Sequence, residues 1–389
     1  MGGIRDPLGV ILCVVGARPN YMKMAPLLRA FRAHSSLPQC VLVHTGQHYD
    51  PMLNDRLFED LALPRANINL EVGSASHAVQ TAEVMRRFEP VVDAYQPSCV
   101  VVVGDVNSTL ACSLVAAKKS VPVAHVEAGL RSFDRTMPEE VNRLLTDQIA
   151  DLLYTTERSA HDNLAREGIP AGRICFVGNV MIDSLLAHRE RAVSPVETLR
   201  AAGAPSQFVA SAHRFGLVTL HRPANVDKPD TLSESLDILR AVAEKLPLIC
   251  ALHPRTTANI AKYQLKHKLE SDHLLVLPPQ GYLQMLGLMS AAALVLTDSG
   301  GMQEETTALA VPCLTMRENT ERPITIEQGT NTLVGRDRVR ILSLVDEILI
   351  SGGKRGRSPE LWDGRAAERI AEHLALWLKK RATPVPVSS

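Results

Sequence analysis

The sequence predicts an α/β protein built from two doubly wound, Rossmann-like domains that face a central cleft. Three observations carry this expectation. Short apolar runs alternate with amphipathic stretches of helical period. The alternation comes in two blocks, parted by the break Gly203-Ala204-Pro205. Polar clusters follow the apolar runs, and open parallel sheets bind their ligands beyond the carboxyl ends of their strands.

The elements follow in order. Strands buried on both faces read as continuous apolar runs, and residues 10–15, 40–44, 99–103, 121–126 and 174–177 have that character. Helical patterns at 22–33, 75–94, 109–117 and 138–150 lie between them. A second series of strands reads at 216–220, 248–252, 274–277, 293–297 and 311–315, again with helical stretches between. The expected organisation is an N-terminal domain over 1–205, a C-terminal domain over 206–360, and a last helix over 361–382 that returns to the first domain. The closing residues ATPVPVSS read as a disordered tail.

Bulk composition removes several function classes. Lys plus Arg and Asp plus Glu both number 42 in 389 residues, so no excess of positive charge argues for nucleic acid or an acidic membrane surface. No apolar run approaches the ~20 residues that span a bilayer. The seven cysteines include no CxxC pair and sit mostly in apolar runs, which fits buried free thiols in a reducing compartment. With no signal-peptide core before the first strand, the cytoplasm is the expected location. The chain has no HExxH, GxSxG or GxxxxGK[ST] pattern. Histidines and carboxylates do not cluster at metal spacing, so no metal is expected.

The most informative segment is Thr297-Asp298-Ser299-Gly300-Gly301-Met302-Gln303-Glu304-Glu305. It reads as a strand end, a tight turn and a helix N-terminus, where backbone N–H groups and the helix dipole suit a phosphate. Gly300 and Gly301 remove side chains that would block close approach. Glu305, one turn on, is placed to hold a ribose hydroxyl. An ordinary strand-to-helix turn capped by Ser299 is the plainer alternative.

Other clusters follow the remaining strands. After the first comes Gly16-Ala17-Arg18-Pro19-Asn20-Tyr21-Met22-Lys23, in which Arg18 and Lys23 can both reach an anion at a helix start. This is not GxGxxG, so the dinucleotide signature is missing. Gly104-Asp105-Val106-Asn107-Ser108 follows the third strand. Asp105 is either an N-cap or, if Asn107 or Ser108 caps, an available acid. Glu127 follows the fourth strand, either as a catalytic acid or base or as the ion-pair partner of Arg131 or His125. Pro138 opens a helix with Glu139 and Glu140 in its first turn, and Glu139 and Arg143 are spaced for a pair on one face. In the second block, His221-Arg222-Pro223 and His253-Pro254-Arg255 each follow a strand, and Arg322 is the best anion-facing candidate in the loop after 315.

GARPNYMKMAPL, TGQHYD, GDVNSTLA, HVEAGLRSFD, MPEEVNR, VGNVMIDSL, LHRPANVD, TDSGGMQEE and RENTERPITIEQGTN occur in this order from 16 to 331. Together they resemble the non-hydrolysing UDP-N-acetylglucosamine 2-epimerase family, over nearly the whole chain. The resemblance implies the two-domain fold of B-type nucleotide-sugar glycosyltransferases, a homodimer, a UDP-sugar substrate and no cofactor. It implies a reaction in which UDP leaves to give a 2-acetamidoglucal and then adds back. It also implies that Asp105, Glu127 and Glu139 are the catalytic carboxylates, that His221 lies near the pyrophosphate and that Arg18 contacts the β-phosphate with Lys23 nearby. Ser299, Gly300, Gly301 and Glu305 would grip UDP, and the uracil would dock near 277–282, where Tyr282 lies. Arg143 and Arg322 are weaker carry-overs.

Two segments depart from the pattern. Many members read HRRE where this chain has His221-Arg222-Pro223-Ala224. Some members bind a second, activating UDP-GlcNAc through a segment like TAQHR, where this chain has Tyr49 at an Arg-like position. Both changes remove charge, so activation is expected to be weak or absent. A B-fold glycosyltransferase that moves the sugar to an acceptor, a hydrolysing epimerase and a non-catalytic sensor are the competing readings. The set of acids at 105, 127 and 139 argues against the transferase and the sensor, and a hydrolysing epimerase, which needs only water admitted to the glucal step, stays open. Epimerisation of a related UDP-acetamido sugar or uronic acid stays open.

Overall fold

The computed structural model describes residues 9–46 and 59–382. The chain's last seven residues and Tyr49, with the rest of 47–50, lie outside the described residues. Contacts divide the chain into two compact units, one of residues up to Ser184 together with those from Glu360, the other Leu185–Pro359.

The first unit is built on seven parallel strands. In chain order its elements are β1 (Val10–Val15), α1 (Arg18–Ala33), β2 (Gln39–His44), β3 (Ile68–Asn69), α2 (His77–Tyr95), β4 (Cys99–Val103), α3 (Asn107–Lys118), β5 (Val123–Val126), α4 (Pro138–Ile149), β6 (Leu152–Thr155), α5 (Ser159–Arg166) and β7 (Ile174–Phe176). The sheet order is β3-β2-β1-β4-β5-β6-β7. Every described pair is parallel. β4, with sequence CVVVV, is wholly buried, as a central strand covered on both faces must be. β1 and β4 are neighbours although two strands, β2 and β3, lie between them in the chain, so the direction of winding reverses between them. That reversal is where a doubly wound sheet opens a crevice at its carboxyl edge.

The second unit follows α6 (Val180–His188) with α7 (Pro195–Ala201), α8 (Ser206–Ala210), β8 (Gly216–Thr219), α9 (Pro223–Val226), α10 (Pro229–Ala243), β9 (Leu248–Ala251), α11 (Pro254–Lys262), β10 (Leu274–Leu277), α12 (Tyr282–Ala291), β11 (Leu294–Thr297), α13 (Gly300–Leu309), β12 (Cys313–Thr315), α14 (Ile324–Glu327), β13 (Asn331–Leu333) and α15 (Arg338–Ser351). Its six parallel strands are ordered β10-β9-β8-β11-β12-β13, with the reversal between β8 and β11. Each sheet has its own apolar core under its helices.

Three strands escape sequence reading: β3, β6 and β13. β3 has two residues. β6 begins at Leu152, only two residues after the helix ending at Ile149, with no glycine or proline to mark the change. β13 is the polar triplet NTL.

The division between units also differs from a boundary at 205. Residues after Ser184 side with the second sheet because the Val193 N–H donates to the Leu283 carbonyl at 3.1 Å. A Cβ on Gly287 would meet the Val193 carbonyl oxygen at 1.8 Å, so only glycine lets the two segments pack this closely. The chain then returns to the first unit through α16 (Ala366–Ala382), which packs on α1. Asp183 accepts the Ala366 and Ala367 N–H groups at 3.1 and 2.7 Å and so holds the start of α16. The Trp362 indole donates to the Thr156 carbonyl at 3.0 Å. The Tyr154 hydroxyl lies 3.1 Å from His373 Nδ1.

Candidate functional site

At the reversal in the first sheet, Asn20 fixes the loop after β1. Its Oδ1 accepts the Gly16 and Ala17 N–H groups at 3.0 and 2.9 Å, and its Nδ2 donates to the Val103 carbonyl at 2.9 Å. The ends of β1 and β4 are thereby tied together. Gly16 is required by packing, since a Cβ there would meet Ser108 Oγ at 2.3 Å. Arg18 and Pro19 open α1, the proline within its first two positions, where its missing N–H costs nothing.

Lys23 does not face outward beside Arg18. It is buried, and its Nζ lies 2.7 and 2.6 Å from the two carboxylate oxygens of Glu127. Glu127 is therefore paired with Lys23, and neither Arg131 nor His125 is its partner as the sequence suggested. Those two serve another network. His125 lies between Asp147, 2.7 Å from Nδ1, and the Gly104 carbonyl, 2.8 Å from Nε2. Arg131 donates to Asp147 at 2.6 Å and to Glu167 at 2.7 Å. Burial pushes Asp147 up, yet His125 and Arg131 hold it below the usual carboxylate range. Glu127 also has a left-handed backbone, φ +73°, a conformation that strains a side-chain-bearing residue and is kept here by the surrounding contacts.

Asp105 does not occupy the N-cap position. Val106 occupies the N-cap of α3 without a side-chain bond, and Asp105 points instead to Arg143 on α4, with Nη1 2.5 Å from its Oδ2. Arg143 is buried and turns its other nitrogens on Glu140, at 3.1 and 2.8 Å. Spacing pointed Arg143 at Glu139, four residues before it; the structure shows it bonded to Glu140, three residues before it. Glu140 is itself anchored by the Ser132 and Phe133 N–H groups at 3.0 and 2.9 Å. Glu139 stays half-buried at the start of α4. Asp105 keeps a fifth of its side chain exposed, at 21%, against 2% for Glu127.

The second unit carries its own cluster at the reversal between β8 and β11. Thr219 and Thr297 lie side by side with hydroxyls 2.7 Å apart, so the residues that follow each are neighbours. Asp298 is wholly buried there, and sequence reading gave it no role. It accepts the His221 N–H at 3.0 Å, the Arg222 N–H at 2.9 Å and Asn225 Nδ2 at 3.1 Å. His221 Nδ1 also lies 3.1 Å from its Oδ1. Burial pushes Asp298 up, but His221 and these N–H groups hold its carboxyl below the usual range.

Ser299 sits at the N-cap of α13 without its hydroxyl capping the helix, so the plain Ser-cap reading does not describe the turn. Gly300 begins the helix, and a Cβ there would meet Arg322 Nη1 at 2.5 Å and Glu321 Oε1 at 2.6 Å. Gly301 follows, half-buried. Arg322 does not stand as an open anion contact. It is buried, with Nε 3.0 Å from Glu304 and Nη1 bonded to Glu321. Glu305 is buried and accepts the Tyr282 hydroxyl at 3.2 Å, which joins α12 to α13. His253 caps α11, accepting the Arg255 N–H at 3.2 Å, and its ring centroid is 5.8 Å from that of His221.

The fold, two parallel sheets with interleaved helices, is that of nucleotide-sugar enzymes. More narrowly, the chain belongs to the UDP-N-acetylglucosamine 2-epimerase family, whose model matches residues 29–375. It is 40% identical to the UDP-N-acetylglucosamine 2-epimerase of Methanocaldococcus jannaschii, over 93% of this chain and 97% of that one. It is also 40% identical to the UDP-2,3-diacetamido-2,3-dideoxy-D-glucuronate 2-epimerase of Pseudomonas aeruginosa, over 94% and 99%. The crystal structure of the Methanocaldococcus jannaschii enzyme in complex with UDP-GlcNAc and UDP superposes with a TM-score of 0.84 at 38% identity, covering 94% of this chain and 99% of that one.

Proposed function

We propose that this chain interconverts UDP-GlcNAc and UDP-ManNAc without hydrolysis, through departure and return of UDP. The C2–H of the sugar has no neighbouring carbonyl to acidify it. Breaking the C1–O bond first leaves an oxocarbenium-like carbon beside C2, and the proton then becomes removable. The route needs a firm hold on UDP, stabilisation of the departing phosphate charge, and proton-transferring groups for both faces of C2. The observation that carries the reading is the set of acids on the loops after β4 and β5 and at the start of α4: Asp105, Glu127 and Glu139. A sugar transfer to an acceptor has no use for all three.

Within that set the surroundings divide the roles. Asp105, partly exposed and oriented by Arg143, and half-buried Glu139 are suited to exchange protons with the sugar. Glu127, closed in with Lys23, is the third candidate for the pair. Arg18 at the start of α1 would meet the β-phosphate. Ser299, Gly300, Gly301, Tyr282 and Glu305 would hold UDP, His221 would balance its diphosphate, and Arg322 would support the turn. The enzyme is read as a cytoplasmic homodimer that serves polysaccharide synthesis. All seven cysteines being free thiols supports the compartment. Among the described residues no helix is long and apolar enough to cross a membrane.

Proton NMR with UDP-GlcNAc in D2O tests the reading. UDP-ManNAc carrying deuterium at C2, with no free sugar, is the expected result. Free ManNAc would instead mean hydrolysis. The Pseudomonas aeruginosa relative favours one second reading, epimerisation of a UDP-diacetamido-uronic acid, at the same identity. Turnover of that sugar but not of UDP-GlcNAc would select it.

A further inference from the structure

Asp298 and His221 belong to different strand ends yet form one unit. The carboxylate is wholly buried and surrounded by donors: two backbone N–H groups, Asn225 Nδ2 and the His221 ring. An ionised carboxylate only accepts. The His221 Nδ1 that lies 3.1 Å from it must therefore carry a hydrogen, whichever protonation state the ring is in. Asn225 is braced in turn by the Met316 carbonyl at 2.9 Å, so the arrangement is fixed from two sides. Nε2 is left as the ring atom available to a ligand, on a side chain that is about a third exposed, at 35%.

A neutral ring with its hydrogen on Nδ1 presents a lone pair at Nε2, which repels a phosphate oxygen. Only the imidazolium presents an N–H there. The titratable groups packed against the ring are Asp298 from the turn after β11 and His253 from the start of α11, and Arg222 follows His221 in the chain. We propose that Asp298 is a positioning residue that holds His221 with its hydrogen on Nδ1 and its Nε2 toward the diphosphate, so that binding of a nucleoside diphosphate takes up a proton on Nε2. The inference rests on the UDP-binding role given above to this turn and deepens it. The balance is simple: one proton passes from solvent to Nε2, and no bond to the nucleotide is made or broken.

The test is calorimetry of UDP binding to the full chain at pH 8, in two buffers of different ionisation enthalpy, with 15N NMR of the histidine rings in the free protein. Net proton uptake by the wild type, abolished in His221→Gln, is expected. The NMR should show the His221 ring as one Nδ1–H tautomer, and Asp298→Asn should give a mixture and roughly tenfold weaker UDP binding, the ratio that 1.4 kcal/mol sets. UDP binding without uptake, or uptake that survives His221→Gln, would overturn the proton linkage. An Nε2–H tautomer in the wild type would overturn the role of Asp298 without any variant having to fold. If UDP does not bind at all, the proposed function fails and the diphosphate part of this inference with it, while the tautomer still decides the part played by Asp298.

Discussion

Lys23 Nζ lies within 2.7 Å of both carboxylate oxygens of Glu127, and both side chains are buried. A Cβ on Gly104 would meet the same Nζ at 2.8 Å, so the glycine at the end of β4 makes room for the ammonium. Removing one charge of such a pair strands the other. Lys23→Met is expected to cost about 3–5 kcal/mol of stability. The double variant Lys23→Met, Glu127→Leu should recover much of it. Urea unfolding of the three proteins checks this. Equal losses in the single and double variants would show that the pair is not coupled.

Arg143 connects Asp105 to Glu140 through separate nitrogens of one planar guanidinium. Lysine keeps the charge but not the fork. Arg143→Lys should lower the rate of UDP-GlcNAc epimerisation about 10²-fold, the scale of a misplaced reacting group. Substrate affinity should change much less. Rates followed by NMR at saturating and limiting substrate separate the two. A loss confined to KM would place Arg143 in binding instead.

The strands that sequence reading found are those with an unbroken apolar run, β1 and β4 above all, because burial on both faces writes itself into every position. The site was legible as a set of residue types at strand ends. Its pairing was not. Lys23 and Glu127 are 104 residues apart and Arg143 and Asp105 are 38 apart. Periodicity reports only which face of one element a residue occupies. It did not show which acid Arg143 turns to, because Glu139 and Glu140 both lie within reach on the same helix turn. Asp298 was passed over for a related reason. Beside two glycines it reads as part of a turn, and only the neighbouring strand end supplies the four donors that explain a buried charge.

Asp183 gives a pH dependence of opposite sign to that of Asp147 and Asp298. Burial raises its carboxyl to about 6, despite the Ala367 and Ala366 N–H groups that favour the charged form. A raised folded value means that its contribution to stability is full below the unfolded value near ~3.9 and is lost as pH rises through about 6. The contribution lost by pH 7 is about 3 kcal/mol. Asp183→Asn should therefore compare better with the wild type at pH 7 than at pH 4.5 in urea unfolding. Asp147 and Asp298, both held low, act the other way: their contribution is present above the usual carboxylate value and is lost as pH falls through their depressed values. An Asp183→Asn difference that does not vary with pH would refute the assignment.

Gly300 is confined by the buried Arg322 and Glu321 rather than by open space. Gly300→Ala must push the ion pair aside, a change of the overpacking kind that costs about 1–3 kcal/mol. Because the same residue begins α13, weaker UDP binding should accompany the stability loss. Thermal unfolding with and without UDP measures both, and a variant with unchanged melting temperature and affinity would contradict the crowding.

Tyr282 and Glu305 make the last prediction, because their contact separates two ways of holding a nucleotide. The hydroxyl donates to Glu305 Oε1 at 3.2 Å, and burial together with Glu305 pushes the phenol well above its ordinary value, so it stays a neutral donor. Tyr282→Phe removes one donor to the acid and should weaken UDP binding by about the value of one hydrogen bond, 0.5–1.5 kcal/mol. Glu305→Gln removes the charge itself, and bonds to charged groups are worth about 1.5–3 kcal/mol. If Glu305 holds a ribose hydroxyl, its loss should matter for UDP and hardly at all for 2′,3′-dideoxy-UDP, which has no hydroxyl to lose. If Glu305 only orients Tyr282, both nucleotides should weaken equally, and to the same extent as in Tyr282→Phe. Calorimetric titration of the two nucleotides against the wild type and both variants distinguishes the cases, because the first leaves an interaction energy between nucleotide and side chain and the second leaves none.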